Sequence, residues 1–577
     1  MSRLITTAAT VALAISISTG VAPAAGTAAR AIAANKPAAR AVAAIKDAAL
    51  SGRAQHAIVV SESEPASKAG LEILQHGGNA VDAACATALA VGVTNPASCG
   101  IGGGGFMLVY IAKTGKFYAL DYRERAPFKA AANMFVRDGK TEEKLARDGV
   151  LAVATPGEIA GIDTALHRLG TMKFQAIAAP AIRLARGGFP LSEHLAREIE
   201  HFAPALAADP GLRAVFLKAD GTAPKAGDTI AAKNLAATLE ALGDDPVQVF
   251  YHGEIARRIS EFMSEHGGLI TANDLGLYTP IWREPLHSKY HDFDVVAMPP
   301  PSSGAIVLEM LGMLEPGHLG GLGVNSPPYL ARLIEVMRQG FTDRDQYADP
   351  AFVDVPVFRL LSPEHIAEAR SRAMHHRIAP APEPAHDHGT SNLLVADQDG
   401  NVVALTTTIN TPFGSKVTVG DLGIILNDEM DDFAVAPGVP NAFGLRGAKA
   451  NEIAPGKRPL SSMTPIIVMR GGRPVFTTGG SGGPTIITGV LQVTLNVLDS
   501  HLGAARAVDE PRVHEQAAPD IVAVEPQIAV PTRDALQKMG YKLRMVPNLG
   551  AVGAITIAPG NLRGASDPRK GGAAAGY

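Results

Sequence analysis

Thr390 has the clearest route to chemistry in this chain, because of what stands on either side of it. It follows Gly389 at the end of a polar, breaker-rich segment, Pro382-Glu383-Pro384-Ala385-His386-Asp387-His388, of the kind that lies exposed and is cut. Scission between Gly389 and Thr390 would leave an α-amine beside the threonine's own hydroxyl. Such an amine titrates near pH ~8 and can act as general base toward that hydroxyl. Downstream, two apolar runs of strand length, 393–396 and 401–405, flank Asp397-Gln398-Asp399-Gly400, which predicts a β-hairpin. A three-residue loop at Gln398-Asp399-Gly400 sets Asp397 across from Asn401 and Thr390 across from Thr408, to within about one residue. Because strand side chains alternate, Thr406, Thr408 and Asn410 then share one face. A threonine in a strand is by default structural; the adjoining glycine and the facing hydroxyl raise this one above that default.

Other chemistry-bearing patterns carry less. Gly100-Ile101-Gly102-Gly103-Gly104-Gly105 satisfies G-x-G-x-x-G, and Asp121 lies near the offset of a ribose-binding carboxylate. A helical pattern precedes the run and a strand pattern follows it, the reverse of a dinucleotide fold. The run is therefore expected where backbones pack too closely for side chains. His386-Asp387-His388 has neither helical nor tetrahedral ligand spacing and is expected in a linker; no metal and no cofactor is expected. Cys85 and Cys99 allow one disulfide but no disulfide framework, and Cys85, in the apolar run 81–86, is expected to be a buried free thiol.

The elements that must position Thr390 follow from periodicity. Strand patterns occur at 56–62, 107–112, 116–121, 465–469 and 474–478. Helical patterns occur at 65–75, 80–93, 157–169, 174–187, 192–202, 233–242, 253–266, 329–341 and 485–498. The stretch 155–380 is expected to be mostly helical scaffold, without catalytic residues in the turns 298–304 and 343–350. The helix at 485–498 begins beside Gly482-Gly483, where outward-pointing amides favour negative charge and suit an oxyanion hole.

Across 577 residues the net charge is −4 and 46% of residues are hydrophobic, which gives no electrostatic case for nucleic acid and points to a large globular core. Residues 1–24 have the form of a secretory signal, with Arg3, an apolar stretch over 4–17 and Ala22-Pro23-Ala24. An Ala-rich leader at 25–50 follows, and export to the periplasm or medium is expected. No later stretch has the apolar length of a membrane span.

Four longer motifs, in one order, extend the pattern around Thr390: Asn410-Thr411-Pro412-Phe413-Gly414, then 423–433, then Lys457-Arg458-Pro459-Leu460-Ser461-Ser462-Met463-Thr464-Pro465, then Gly480-Ser481-Gly482-Gly483. Together they resemble the γ-glutamyltransferase family of N-terminal nucleophile hydrolases, from about residue 56 to the end. The resemblance implies an α+β fold, a four-layer αββα sandwich formed jointly by a large fragment (51–389) and a small fragment (390–577) of one self-cleaved precursor, a heterodimer of the chain's own pieces. It implies that Thr390 attacks the γ-glutamyl amide of glutathione or a related compound, that Thr408 hydrogen-bonds to the nucleophile, and that Gly482 and Gly483 hold the oxyanion. Arg123, Ser461 and Ser462 would meet the α-carboxylate, and Asn410, Glu429 and Asp432 the α-amine. Phe443 stands at the aromatic gate position of a lid loop. Water or an amino-acid or peptide acceptor would resolve the γ-glutamyl-enzyme. Glu429 and Asp432 repel one another in a pocket unless a cation joins them, and the substrate ammonium is the cation expected there. The chain departs from the family just after the nucleophile: Ser391-Asn392-Leu393-Leu394 stands where members commonly have Thr or Ser, His, an aromatic and a small residue. Two alternatives share the evidence: a cephalosporin or glutaryl acylase of the same fold, and an exported binding protein that keeps the fold without turnover. Arg123, Glu429 and Asp432 favour a free α-amino-acid head over the first; Thr390 beside Thr408 favours turnover over the second.

Overall fold

The computed structural model describes residues 50–317, 319–373, 389–436 and 438–577. The expected signal, all but the last residue of the leader, and His386-Asp387-His388 lie outside them. Two seven-stranded sheets form the centre. The sheet that carries Thr390 runs, edge to edge, Ala573–Gly576, Ile58–Ser61, Ser391–Ala396, Val402–Thr408, Gly104–Ile111, Lys116–Tyr122, Ile281–Arg283. The partner sheet runs Ser51–Ala54, Asn561–Ala565, Ala551–Ala558, Arg473–Ser481, Ile466–Arg470, Phe293–Ala297, Leu286–Tyr290. Residues from both sides of the Gly389–Thr390 peptide supply strands to both sheets.

Strand alternation sorts the hairpin into two cores. Leu393, Val395, Val403 and Leu405 pack with the helices Glu64–Gln75, Ala80–Thr94 and Glu158–Leu169, whereas Leu394, Ala396, Val402 and Ala404 pack with the partner sheet and its helices Gly304–Leu314, Pro327–Asp343 and Thr485–Leu498. The result is helix on sheet on sheet on helix, the expected α+β sandwich. With both faces buried, hydrophobic pattern alone cannot set the register; the turn does. Asp397 accepts from the Asn401 amide (2.9 Å), the Asn401 side chain (2.7 Å), the Asp399 amide (3.0 Å) and, across the layer, the Ala80 amide at a helix N-terminus (2.9 Å). Ser391 consequently pairs with Thr407, and the next step outward brings Thr390 opposite Thr408.

The glycine run lies after the helix Ala80–Thr94 and leads into the strand Gly104–Ile111, where close packing requires it. A Cβ on Gly103 would lie 1.9 Å from the Thr408 carbonyl oxygen, one on Gly105 2.2 Å from that of Thr406, and one on Gly102 2.1 Å from that of Ile425. These glycines let the hairpin dock against the Gly104–Ile111 strand.

The stretch 155–380 is mostly helical as expected, but it also supplies strands to both sheets. Ile281–Arg283 closes one edge of the Thr390 sheet, and Leu286–Tyr290 with Phe293–Ala297 forms an edge of the other. The chain crosses between sheets at Glu284-Pro285. Two of these strands are short, half-exposed edges without a clean apolar alternation, so their periodicity is weak. Cys85 and Cys99 are both free and buried. Among the described residues no helix is long and apolar enough to cross a membrane.

Candidate active site

The hairpin brings Thr390 Oγ1 to 3.0 Å from Thr408 Oγ1. The Thr408 oxygen also accepts the Asn410 amide at 2.8 Å. The Thr390 amide donates to the Ser98 carbonyl at 2.9 Å, and its φ of +117° is one that a β-branched residue adopts only under strain. Gly389 has no room for a larger residue, since a Cβ there would sit 2.5 Å from the Asn410 carbonyl oxygen. The scissile peptide is thus held from both sides.

Three further side chains stand at the nucleophile, none of them given a role from sequence. Lys570 donates to the Thr390 carbonyl at 2.5 Å and reaches Ser481 Oγ at 3.4 Å. It also pairs with Glu62 at 3.0 Å, and Ser481 donates to the other Glu62 oxygen at 2.6 Å. Burial pushes the Glu62 carboxyl above its ordinary range, opposed by Lys570. Lys570 directly follows Asp567-Pro568-Arg569, within the span of the family resemblance but outside its four motifs. Because Lys570 touches both Thr390 and Ser481, it fixes the start of Gly482-Gly483 against the nucleophile. Those glycines have φ of +125° and +58°; a Cβ on Gly482 would meet Thr485 Oγ1 at 2.6 Å and Gly550 Cα at 2.7 Å. They lead into the helix Thr485–Leu498, as an oxyanion-binding turn should.

The departures after the nucleophile have a structural account. Asn392 and Leu394 face the partner sheet, where Gly479 and Gly553 leave space: a Cβ at Gly479 would lie 2.2 Å from Asn392 Oδ1, and one at Gly553 3.4 Å from Leu394 Cδ1.

Arg123, Glu429 and Asp432 come together, but on one another. Arg123 is buried and forms ion pairs with both Glu429 and Asp432, with Glu124 3.6 Å away and the Pro459 carbonyl 3.4 Å from Nε. Arg123 joins the two carboxylates, because the 123 and 429–432 segments converge in one buried pocket. Burial raises Glu429 well above the usual carboxylate range, with Arg123 opposing and Glu124 and Asp432 adding to the rise. Glu124, also raised by burial against Arg123, reaches about 7. Asn410 Nδ2 donates to the Asp428 carbonyl at 3.0 Å.

Ser461 and Ser462 are held by the turn at 299–303, set aside from sequence as scaffold. Ser303 Oγ donates to the Ser461 carbonyl at 2.5 Å, Ser302 Oγ to the Met463 carbonyl at 2.7 Å, and the Ser461 amide to the Pro301 carbonyl at 2.7 Å. Phe443, placed at a gate position by the resemblance, is buried. Its carbonyl accepts from Gln516 at 3.3 Å, and its ring helps line a cavity of about 120 Å³ with Gly482, Thr485, His514, Gln516 and Lys570. Burial drops the His514 imidazole to about 4, so at neutral pH it is an uncharged link between Thr488 (2.9 Å) and Gln516 (2.8 Å).

Among the described residues one group combines metal-ligand types: Glu309, Asp343 and His365. The imidazole already meets both carboxylates at 3.3 and 3.4 Å, and Gln339 donates to Asp343 at 2.7 Å, so a buried polar hub between three helices accounts for it.

Comparison with known proteins agrees with this geometry. The model of the family described as gamma-glutamyltranspeptidase matches residues 66–577. A glutathione hydrolase proenzyme of Escherichia coli is 39% identical over 90% of this chain and 91% of its own, and one of Bacillus subtilis 36% identical over 90% and 91%. Among solved structures, a cephalosporin acylase from Bacillus halodurans superposes with TM-score 0.82 at 30% identity, covering 91% of this chain and 97% of its own. The Helicobacter pylori gamma-glutamyltranspeptidase gives 0.53 at 34% identity, covering 55% of this chain and 91% of the matched one. With its nucleophile hairpin, facing threonine and glycine turn assembled across two sheets, the chain belongs to the gamma-glutamyltranspeptidase family.

Proposed function

We propose that the chain is a self-processing γ-glutamyltransferase with glutathione hydrolase activity. The observation that carries the reading is the Thr390 hydroxyl, 3.0 Å from that of Thr408, directly after a glycine in a tightly fitted peptide. In maturation, Thr390 Oγ attacks the Gly389 carbonyl carbon; an N-to-O shift and hydrolysis of the ester free the Thr390 α-amine. In turnover that amine takes the hydroxyl proton as Oγ attacks the γ-carbonyl of the substrate. The N–H groups of Gly482 and Gly483 receive the developing oxyanion, and the proton passes to the departing amine. Water or an amino-acid acceptor then adds to the γ-glutamyl ester and releases Thr390. The substrate's ammonium and carboxylate insert into the Arg123–Glu429–Asp432 cluster beside Ser461 and Ser462, exchanging internal ion pairs for pairs with the substrate.

Export rests on residues 1–24, whose charge and apolar pattern support a cleaved signal and a periplasmic or secreted enzyme; mass spectrometry of the exported protein would find its first residue after Ala24.

An acylase reading is favoured by the 0.82 superposition on a cephalosporin acylase. Against it stands the paired set of acids and arginines at the head, which a plain glutaryl chain would leave half used. Purified protein should run as two fragments, the smaller beginning at Thr390, and should hydrolyse γ-glutamyl-p-nitroanilide well above glutaryl-p-nitroanilide. Thr390→Ala should stay one inactive chain. A fully active uncut wild type would defeat the nucleophile assignment; equal kcat/KM on the two anilides would favour the acylase.

A further inference from the structure

Arg344 opens the short 3-10 turn Arg344–Gln346 after the helix Pro327–Asp343. It is only 9% exposed. Its one described polar contact is a long one, from Nη2 to Ser462 Oγ at 3.5 Å, and its buried Nε has no hydrogen-bond partner. Asp432, Asp345 and Arg123 face it electrostatically. None of the carboxylates among the described residues reaches ion-pair distance of it, whereas Arg123 beside it holds two. A buried guanidinium is ordinarily paired. This one is left over at the rim of the substrate head, with its donors toward one of the two serines there.

We propose that Arg344 is a second receptor for the α-carboxylate of the γ-glutamyl substrate, acting with Ser462 beside Arg123. The inference rests on the γ-glutamyl reading and deepens it. Burial lowers the Arg344 guanidinium to about 10, against the pull of Asp432 and Asp345, so at neutral pH it remains a cation lacking a close anion. A carboxylate arriving between Arg344 and Ser462 supplies that anion and makes charge-assisted bonds where no internal acid stands at ion-pair distance. A substrate lacking the α-carboxylate gains nothing from Arg344.

That difference defines the test. γ-Glutamyl-p-nitroanilide and 4-aminobutyryl-p-nitroanilide differ only by the α-carboxylate. Arg344→Gln should raise KM for the first by roughly 10- to 150-fold, the range for a hydrogen bond to a charged group, with kcat changed far less. Its loss on the second should be at least tenfold smaller. Arg344→Lys should recover part of the difference, as a point charge without the fork. Where turnover of the second anilide is too slow to measure, inhibition constants of L-glutamate and 4-aminobutyrate give the same comparison. Processing on a denaturing gel and the melting temperature report on folding, and the ratio of the two losses is the criterion for either variant. Equal losses on both compounds, or none on either, would overturn the assignment. A wild type inactive on γ-glutamyl-p-nitroanilide would instead overturn the functional reading beneath it.

Discussion

Lys570→Met isolates the buried pair at the nucleophile. In the native protein Lys570 and Glu62 are each about 5% exposed and 3.0 Å apart, and the ammonium also holds the Thr390 carbonyl. Removing the ammonium strands a carboxylate that burial already drives toward its protonated form. Stranding a buried charge costs about 3–5 kcal/mol, but Glu62 has an escape, because it can take up a proton. From an ordinary carboxyl pKa of 4.5, protonation costs about 3.4 kcal/mol at pH 7 and about 0.7 kcal/mol at pH 5. The loss in the variant is therefore capped near these values and grows with pH. The sign follows from linkage: the folded variant holds a proton that the unfolded chain releases above about 4.5, so stability falls as pH rises toward the raised folded value. Melting temperatures should differ from wild type slightly at pH 5 and strongly at pH 7–8. Lys570→Met/Glu62→Gln should regain most of the stability, since the amide needs no counter-ion. It should not regain kcat/KM, because the Thr390 carbonyl still lacks its donor. An identical stability loss at pH 5 and pH 8, or wild-type kcat/KM in the double variant, would refute the reasoning.

Two further outcomes follow from single contacts. Thr408→Val keeps the shape but removes the hydroxyl that faces Thr390 and accepts the Asn410 amide; at about 1–3 kcal/mol for an orphaned buried group, processing followed on a gel time course should slow about 5- to 150-fold, and kcat should fall with it. Glu158 is buried at the start of its helix and raised by burial to about 8, opposed by a 2.8 Å bond from Thr407. Its folded form holds the proton longer than the unfolded chain does, so wild-type stability should decline from about pH 4.5 to 8, and Glu158→Gln should flatten that decline in melts across the range.

Local chemistry made the nucleophile legible from sequence. The Asp397–Asn401 turn sets the register, and the register places Thr390 by Thr408 without any long-range information. Amphipathic helices such as Phe174–Gly187 and Glu254–His266 were legible for the same reason, each burying one face. What escaped was long-range. Lys570 meets Thr390 across 180 residues, and Glu62 meets Ser481 across 419; no local pattern marks a lysine in a glycine-rich tail as buried. The edge strands at 281–290 escaped because edges need little apolar alternation. At the substrate head the residue types read from sequence as complementary to a zwitterion, but complementary groups brought into one pocket also satisfy each other, as Arg123 does with Glu429 and Asp432. Arg344 was dismissed because its neighbours looked like scaffold, and its missing counter-ion appears only in three dimensions.

Strain links maturation to turnover in this site. Thr390 is tied by its amide to Ser98, by its carbonyl to Lys570 and by its hydroxyl to Thr408, and between these ties its φ is forced to +117°. A non-glycine residue in such a region costs about 1–3 kcal/mol. Part of that energy exists only while Gly389 is attached, because φ is defined by the bond to the preceding carbonyl. Breaking that peptide removes the torsion and leaves the three ties to hold a now unstrained terminal threonine. The ground state of the precursor is raised relative to the product, and scission is favoured without any new contact. The same ties then serve catalysis, since they hold the hydroxyl and the freed amine in place beside the glycine turn. Gly389 makes room for the strained approach by lacking a Cβ that would strike Asn410, which is why the residue before the nucleophile must be small even though it takes no part in turnover.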